Sequence, residues 1–180
     1  MNEPKKIAIL RGINVGGKRK ILMADLKMLC EKLELQEVKT YIQSGNLIFS
    51  SHEQNSDIEN KLEKTISDEY GFEVPVIVRT STELLSLVNK NPFYNSKADI
   101  NKLHITFLKF RAAKEDIDHV LTCTHEPDRF IIDGKEVFLY CEGKYHQSKL
   151  TNNFFEKKLK VPATTRNWKT ILKLLELSKY

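Results

Sequence analysis

The chain repeats itself, and that repeat limits its fold more than any other feature. Ser44-Gly45-Asn46-Leu47-Ile48-Phe49 matches Asp133-Gly134-Lys135-Glu136-Val137-Phe138 at an offset of 89. Val74-Pro75, followed by Arg79 and Leu84-Leu85-Ser86-Leu87, matches Val161-Pro162, followed by Arg166 and Ile171-Leu172-Lys173-Leu174, at an offset of 87. A period near half of the 180 residues describes one fold made twice. Each half must then close its own sheet and bury its own apolar faces.

The hydrophobic pattern within each half switches between strand and helix periods. Residues 6–10 read as a strand apolar on both faces, and 13–21 as a glycine-rich basic loop. Residues 23–33 read as a helix with Leu26, Leu29, Cys30 and Leu33 at helical spacing. Strands follow at 38–43 and 47–51, around Ser44-Gly45-Asn46, which is turn chemistry. Residues 57–70 are an amphipathic helix with Ile58, Leu62, Ile66 and Tyr70 on one face and Gly71 as its cap. A strand at 74–79 and a helix at 82–89 complete the half. The second half repeats the order: strand 103–110, helix 114–121, strands 129–132 and 136–141, helix 150–159, strand 163–166, helix 168–177. This is α+β: two ferredoxin-like βαββαβ repeats, each with a trailing helix. The domains expected are 1–91, a linker at 92–102, and 103–180.

Charge is uneven between the halves. The net charge is +5, with 41% apolar and 29% charged residues, which excludes disorder, collagen and a disulfide-stapled miniprotein. No apolar run reaches the length of a membrane span, and no signal peptide is visible, so a cytoplasmic protein without a membrane role is expected. Three cysteines without CxxC spacing read as reduced structural thiols. No metal motif stands out, because Cys123 and His125 supply only two ligands. Neither a metal nor a cofactor is expected. Residues 1–91 are neutral, and the surplus lies beyond them. Lys144, Lys149, Lys157, Lys158, Lys160, Arg166, Lys169 and Lys173 face one acid, Glu156, between 144 and 173. A second basic island, Arg11 with Lys18, Arg19 and Lys20, interrupts the neutral half.

A split βαβ unit places the end of its first strand beside the hairpin joining the next two. Residues 12–20 and 43–46 are therefore expected to be neighbours. They combine cations, glycines and small polar groups: Arg11, Asn14, Gly16, Gly17, Lys18 and Lys20 with Gln43, Ser44 and Asn46. Gly16-Gly17 either aims backbone N–H groups at an anion, as a backbone nest does, or shapes a tight exit from the strand. The run from Gly12 to Lys18 fits most of GxxxxGK[ST], but Arg19 stands where magnesium binding needs Ser or Thr. The second candidate patch is Lys149, Arg166, Asn167, Trp168 and Lys169. There Trp168 is either core or a stacking platform, and Thr165 or Asn167 caps the last helix.

Leu10-Arg-Gly-Ile-Asn-Val-Gly-Gly-Lys18, Met23-Ala-Asp-Leu26 and Thr40-Tyr-Ile-Gln-Ser-Gly-Asn46 with Phe49 resemble the N-terminal signature of a bacterial family, domain of unknown function 1697. Ser148-Lys-Leu-Thr-Asn152, Lys158-Leu159 and Ala163-Thr-Thr-Arg-Asn-Trp168 with Thr170 resemble its C-terminal signature, while residues 80–145 carry little of it. The resemblance implies a cytoplasmic bacterial protein of ferredoxin-like character. It supplies neither an activity nor a catalytic residue.

The readings that follow are three. A phosphate-bearing ligand is expected, with nucleic acid ahead, although the first strand lacks the aromatics of RNA-recognition sheets. A sensor or enzyme for a small phosphorylated metabolite or nucleotide is the first alternative. Without a convincing general base, binding is better supported than catalysis. A protein-interaction module is the second.

Overall fold

A strand with no polar face belongs in the interior of its sheet. Ile7-Ala8-Ile9-Leu10 has none, and β1 (Lys5–Leu10) is buried throughout beyond its first residue. In the computed structural model, which describes residues 3–123 and 125–179, β1 is followed by α1 (Met23–Lys32), β2 (Gln36–Tyr41), β3 (Asn46–Ser50), α2 (Asn55–Tyr70), β4 (Val76–Thr80) and α3 (Ser81–Lys90). The sheet order is β2-β3-β1-β4, antiparallel throughout. Ala8, Leu10, Leu47, Phe49, Val76 and Val78 line one face. They pack with Leu26, Leu29 and Cys30 of α1 and Ile58, Leu62 and Ile66 of α2. Gly71, at φ 72°, ends α2 in the left-handed conformation, its N–H donating to Ser67 O.

The second sheet has the same form. It contains β5 (Leu103–Leu108), β6 (Arg129–Asp133), β7 (Glu136–Tyr140) and β8 (Ala163–Asn167), in the order β6-β7-β5-β8. Its helices are α4 (Lys114–Leu121), α5 (Asn152–Leu159) and α6 (Trp168–Leu177). Leu108, Val137, Leu139 and Ala163 pack with Val120, Phe155 and Leu159. The fold is α+β, two ferredoxin-like repeats.

Strand register tests the duplication residue by residue. Ile7 pairs with Arg79, and Ile105 with Arg166. Leu10 pairs with Val76, and Leu108 with Ala163. The offset of 87 therefore holds in β4 and β8. The hairpin offset needs correction. Leu10 N–H donates to Gly45 O, whereas Leu108 N–H donates to Lys135 O, each at 2.8 Å. Gly45 thus corresponds to Lys135, not Gly134, and the offset there is 90. The cause is turn length: the first hairpin turns through residues 42–45, the second through Gly134 and Lys135 alone.

Two compact units divide the chain, Met1–Leu87 with Lys173–Tyr180, and Val88–Leu172. Residues 92–102 lie within the second unit, where Tyr94 packs on Trp168 with ring centroids 5.3 Å apart. Among the described residues no helix is long and apolar enough to cross a membrane.

Candidate functional site

The strand end and the hairpin of the first unit meet. Leu10 N–H bonds Gly45 O, and the Asn14 side chain joins three chain segments. Its Nδ2 donates to Ile21 O and to Gln43 O, each at 2.9 Å, and its Oδ1 accepts from Ile21 N–H at 2.9 Å. Asn14 lies at φ 57°, a left-handed conformation that asparagine tolerates better than most residues. Its amide is thus occupied in shaping the loop.

Between Asn14 and Arg19 the chain makes a tight hairpin. Lys18 N–H donates to Val15 O and Asn14 N–H to Arg19 O, both at 3.1 Å. Gly16 and Gly17 occupy the two central turn positions at φ 58° and 73°. Positive φ at both is the two-residue turn that matches the twist of a β-ribbon. It differs from the alternating geometry of a backbone nest, so the nest expectation gives way to a projecting turn. A side chain at either glycine would meet nothing within 4 Å. The turn therefore lifts Lys18, Arg19 and Lys20 into solvent, all three exposed. None forms an ion pair among the described residues. Arg19 Nη1 lies 3.6 Å from the position a Cβ on Gly12 would take.

The hairpin supplies the other wall. Ile42 and Gly45 have φ 50° and 79°. A β-branched residue in that region is strained. Gln43 is exposed and Ser44 half-buried. Asn46 is fully buried, its Nδ2 donating to Tyr41 O at 3.0 Å and to Ser44 Oγ at 3.2 Å. Arg11 is half-buried, and its N–H donates to Pro75 O at 2.9 Å. Val15, Leu22 and Ile42 are exposed neighbours, in sequence, of groups that Asn14 joins.

The second candidate patch disperses. Trp168 is fully buried and presents no face to a base. Arg166 is buried, its Nη1 donating to Thr164 Oγ1 at 2.8 Å and Thr165 O at 3.0 Å. Asn167 caps α6, accepting from Thr170 N–H at 2.8 Å. Lys149 is exposed and lines an open pocket with His125, Glu126 and Asp128. Lys169 is exposed as well. The basic run of the second half is also partly answered by α4: Lys160 pairs with Asp116 at 2.6 Å, and Lys158 Nζ lies 3.2 Å from His119 Nε2. A run that is basic along the chain is mixed in space.

The remaining chemistry is quiet. Burial pushes the Cys30 thiol up to about 12 and Cys141 to about 11. Such thiols are poor nucleophiles. Burial holds His104 below its ordinary range, and a hydrogen bond to the Lys102 backbone offsets this in part. Its ring stacks on Tyr145 at 4.5 Å. No cluster of three His, Cys, Asp or Glu side chains suited to a metal exists among the described residues.

A family model described as "Protein of unknown function (DUF1697)" matches residues 4–138. The conserved bacterial protein SP0830 from Streptococcus pneumoniae has a similar structure, with a TM-score of 0.81 and 23% identity over 99% of each chain. That likeness concerns the fold. None of the curated proteins compared matches the chain.

Proposed function

The chain belongs to the DUF1697 family of proteins of unknown function, and on that premise we propose that it binds an anionic, phosphate-bearing ligand, nucleic acid foremost, at the strand-end edge of its first unit. One observation carries the reading. Lys18, Arg19 and Lys20 project from a two-glycine turn with no carboxylate partner among the described residues. Uncompensated cations suit phosphate oxygens, and the counterions released on neutralising those phosphates drive association. Comparison between the units adds support. The second unit joins β5 to α4 through residues 109–113, while the first joins β1 to α1 through residues 11–22. Its hairpin is longer too. The fold closes without these additions, and both lie on one edge. Gln43 and Ser44 stand as polar contacts beside the cations, and Asn14 and Asn46 hold the two walls.

Titration of labelled single- and double-stranded oligonucleotides over a salt series tests this reading. Binding should weaken steeply with salt. Each cation removed, in Lys18→Ala, Arg19→Ala or Lys20→Ala, should lower the log–log slope by about 0.7–0.9. No binding at low salt, or variants indistinguishable from the parent, would refute it. Thermal-shift screening of phosphorylated metabolites covers the small-ligand form, in which a hit must vanish in Lys18→Ala. A further observation favours one other reading. Val15, Leu22 and Ile42 are exposed on the same edge, which suits an acidic protein segment with apolar side chains. Capture of such a peptide with no affinity for oligonucleotides would select it.

A further inference from the structure

The duplication builds the corresponding edge a second time, and there it carries an aromatic ring. Leu108 ends β5 with its N–H on Lys135 O at 2.8 Å, which brings the strand end to the β6–β7 turn. The next residues are Lys109, Phe110 and Arg111. Of the nine phenylalanines, Phe110 alone falls in the exposed class, at 56%. Its position is held from both sides. Lys109 N–H donates to Pro162 O at 2.9 Å, and Ala112 is buried just before α4 begins. The ring therefore stands outside the core on a short, anchored segment.

One cation lies over the ring, and two more stand at the adjoining turn. Lys109 Nζ lies 5.9 Å from the ring centroid. Arg111 is exposed, and its Nη2 lies 3.6 Å from where a Cβ on Gly134 would be. Lys135 is exposed at the turn itself. The acids nearby are Asp133 and Glu136, and Asp133 faces Lys90 at 4.0 Å.

We propose that this edge of the second unit is a separate binding place for single-stranded nucleic acid, with a base stacked on Phe110 and the flanking phosphates held by Arg111 and Lys135. The inference rests on the nucleic-acid reading above and names a ring for it. An exposed aromatic face between cations is what unpaired bases use, because every base has a π-face and a phosphate on either side. Duplex bases already stack on each other and do not reach such a ring. An anionic lipid surface fits less well. It rewards several apolar side chains inserted together, and here one ring stands among polar neighbours with Asp133 and Glu136 beside it.

Anisotropy of a labelled oligothymidylate or oligouridylate, the same probe annealed as a duplex, and sedimentation with phosphatidylglycerol vesicles together test the proposal. Phe110→Ala should weaken single-strand binding roughly 5- to 150-fold, the worth of one stacked base. Phe110→Tyr should stay near the parent, and Phe110→Leu, apolar but without a π-face, should behave like alanine. Arg111→Ala and Lys135→Ala should each lower the single-strand salt slope by about 0.7. Circular dichroism and melting should be unchanged in Phe110→Ala, since the ring is exposed. If Lys18→Ala weakens binding while Phe110→Ala and Phe110→Leu do not, this inference fails and the first-unit reading stands. Leucine that binds as well as phenylalanine would overturn it, as would Phe110-dependent binding to vesicles alone. If the parent protein binds no oligonucleotide at low salt, both readings fall.

Discussion

One methyl group separates two glycines that look alike in sequence. Gly45 and Gly16 both have positive φ, 79° and 58°. A Cβ on Gly45 would lie 2.6 Å from Ile13 Cδ1, and 2.9 Å from both Ile13 Cγ1 and Leu10 Cβ. Ile13 is buried, and Leu10 Cβ is fixed to the backbone of β1, so neither yields cheaply. Gly16 has open space around it. Gly45→Ala should therefore cost about 2–4 kcal/mol, overpacking added to left-handed strain. Gly16→Ala should cost about 1 kcal/mol, the strain alone. Urea unfolding with an unchanged m-value measures both. Equal costs would mean that close approach of hairpin and strand end is not what demands glycine at 45. The same contact explains why residues 12–20 and 43–46 could be expected to meet: topology dictates it, and a missing side chain permits it.

Elements show what the sequence made legible and what it concealed. Helices α4 and α6 begin and end where periodicity places them, because an apolar stripe at helical spacing has one register, and Asn167 caps the start of α6. Strand β2 does not. It was expected at 38–43 and runs Gln36–Tyr41, because Ile42, a strong strand former by type, is drawn into the turn at φ 50°. Local preference lost there to the reach required of the hairpin. Of the candidate site, the meeting of loop and hairpin was readable from strand order, whereas the fate of the second basic run was not. Burial of Trp168 and Arg166 and the pairing of Lys160 with Asp116 depend on contacts between distant segments. The edge strands conceal another device. Val78 N–H donates to Glu59 Oε1 at 2.8 Å and Val76 N–H to Glu63 Oε1 at 2.7 Å. In the second unit Ala163 N–H donates to Glu156 Oε1 at 3.0 Å. Helix carboxylates thus cover the outward N–H groups of β4 and β8, which would otherwise invite a foreign strand. Glu59 beside the buried stripe was the signal, although acids on a helix usually read as a solvated face. Glu59→Ala should cost about 1–3 kcal/mol by stranding the Val78 N–H. Faster hydrogen exchange at Val78 would identify the cause, and Glu59→Gln, which keeps an acceptor, should be milder.

Across the molecule, shifted groups set the pH range in which both units are stable. Burial keeps His104 neutral in the fold, whereas the unfolded chain protonates it near pH 6.5. The unfolded state then binds more protons, so stability declines as pH falls below about 6.5. Glu37, Asp99 and Glu142 are held low by hydrogen bonds, chiefly from Lys5, the Asn101 backbone and Lys102 respectively. Their contribution is present above the ordinary carboxylate range and is lost only at lower pH. On the alkaline side the signs reverse. Cys30 and Cys141 stay protonated in the fold up to about 12 and about 11, against 9.0 ordinarily. The folded state then holds more protons, and stability falls as pH rises above about 9. Lys61, Lys102 and Lys160, raised by hydrogen bonds to Glu53, Glu142 and Asp116, act in the same direction at higher pH. Lys6, lowered by burial, opposes them in part. A plateau between about pH 6.5 and 9 is the expected outcome of urea unfolding across pH. Its acid limb should begin with one group, at a slope of at most about 1.4 kcal/mol per pH unit. His104→Leu should flatten that limb down to the carboxylate range whatever it does to stability at neutral pH. An unchanged slope between pH 5 and 6.5 in that variant would show that another group governs the acid side.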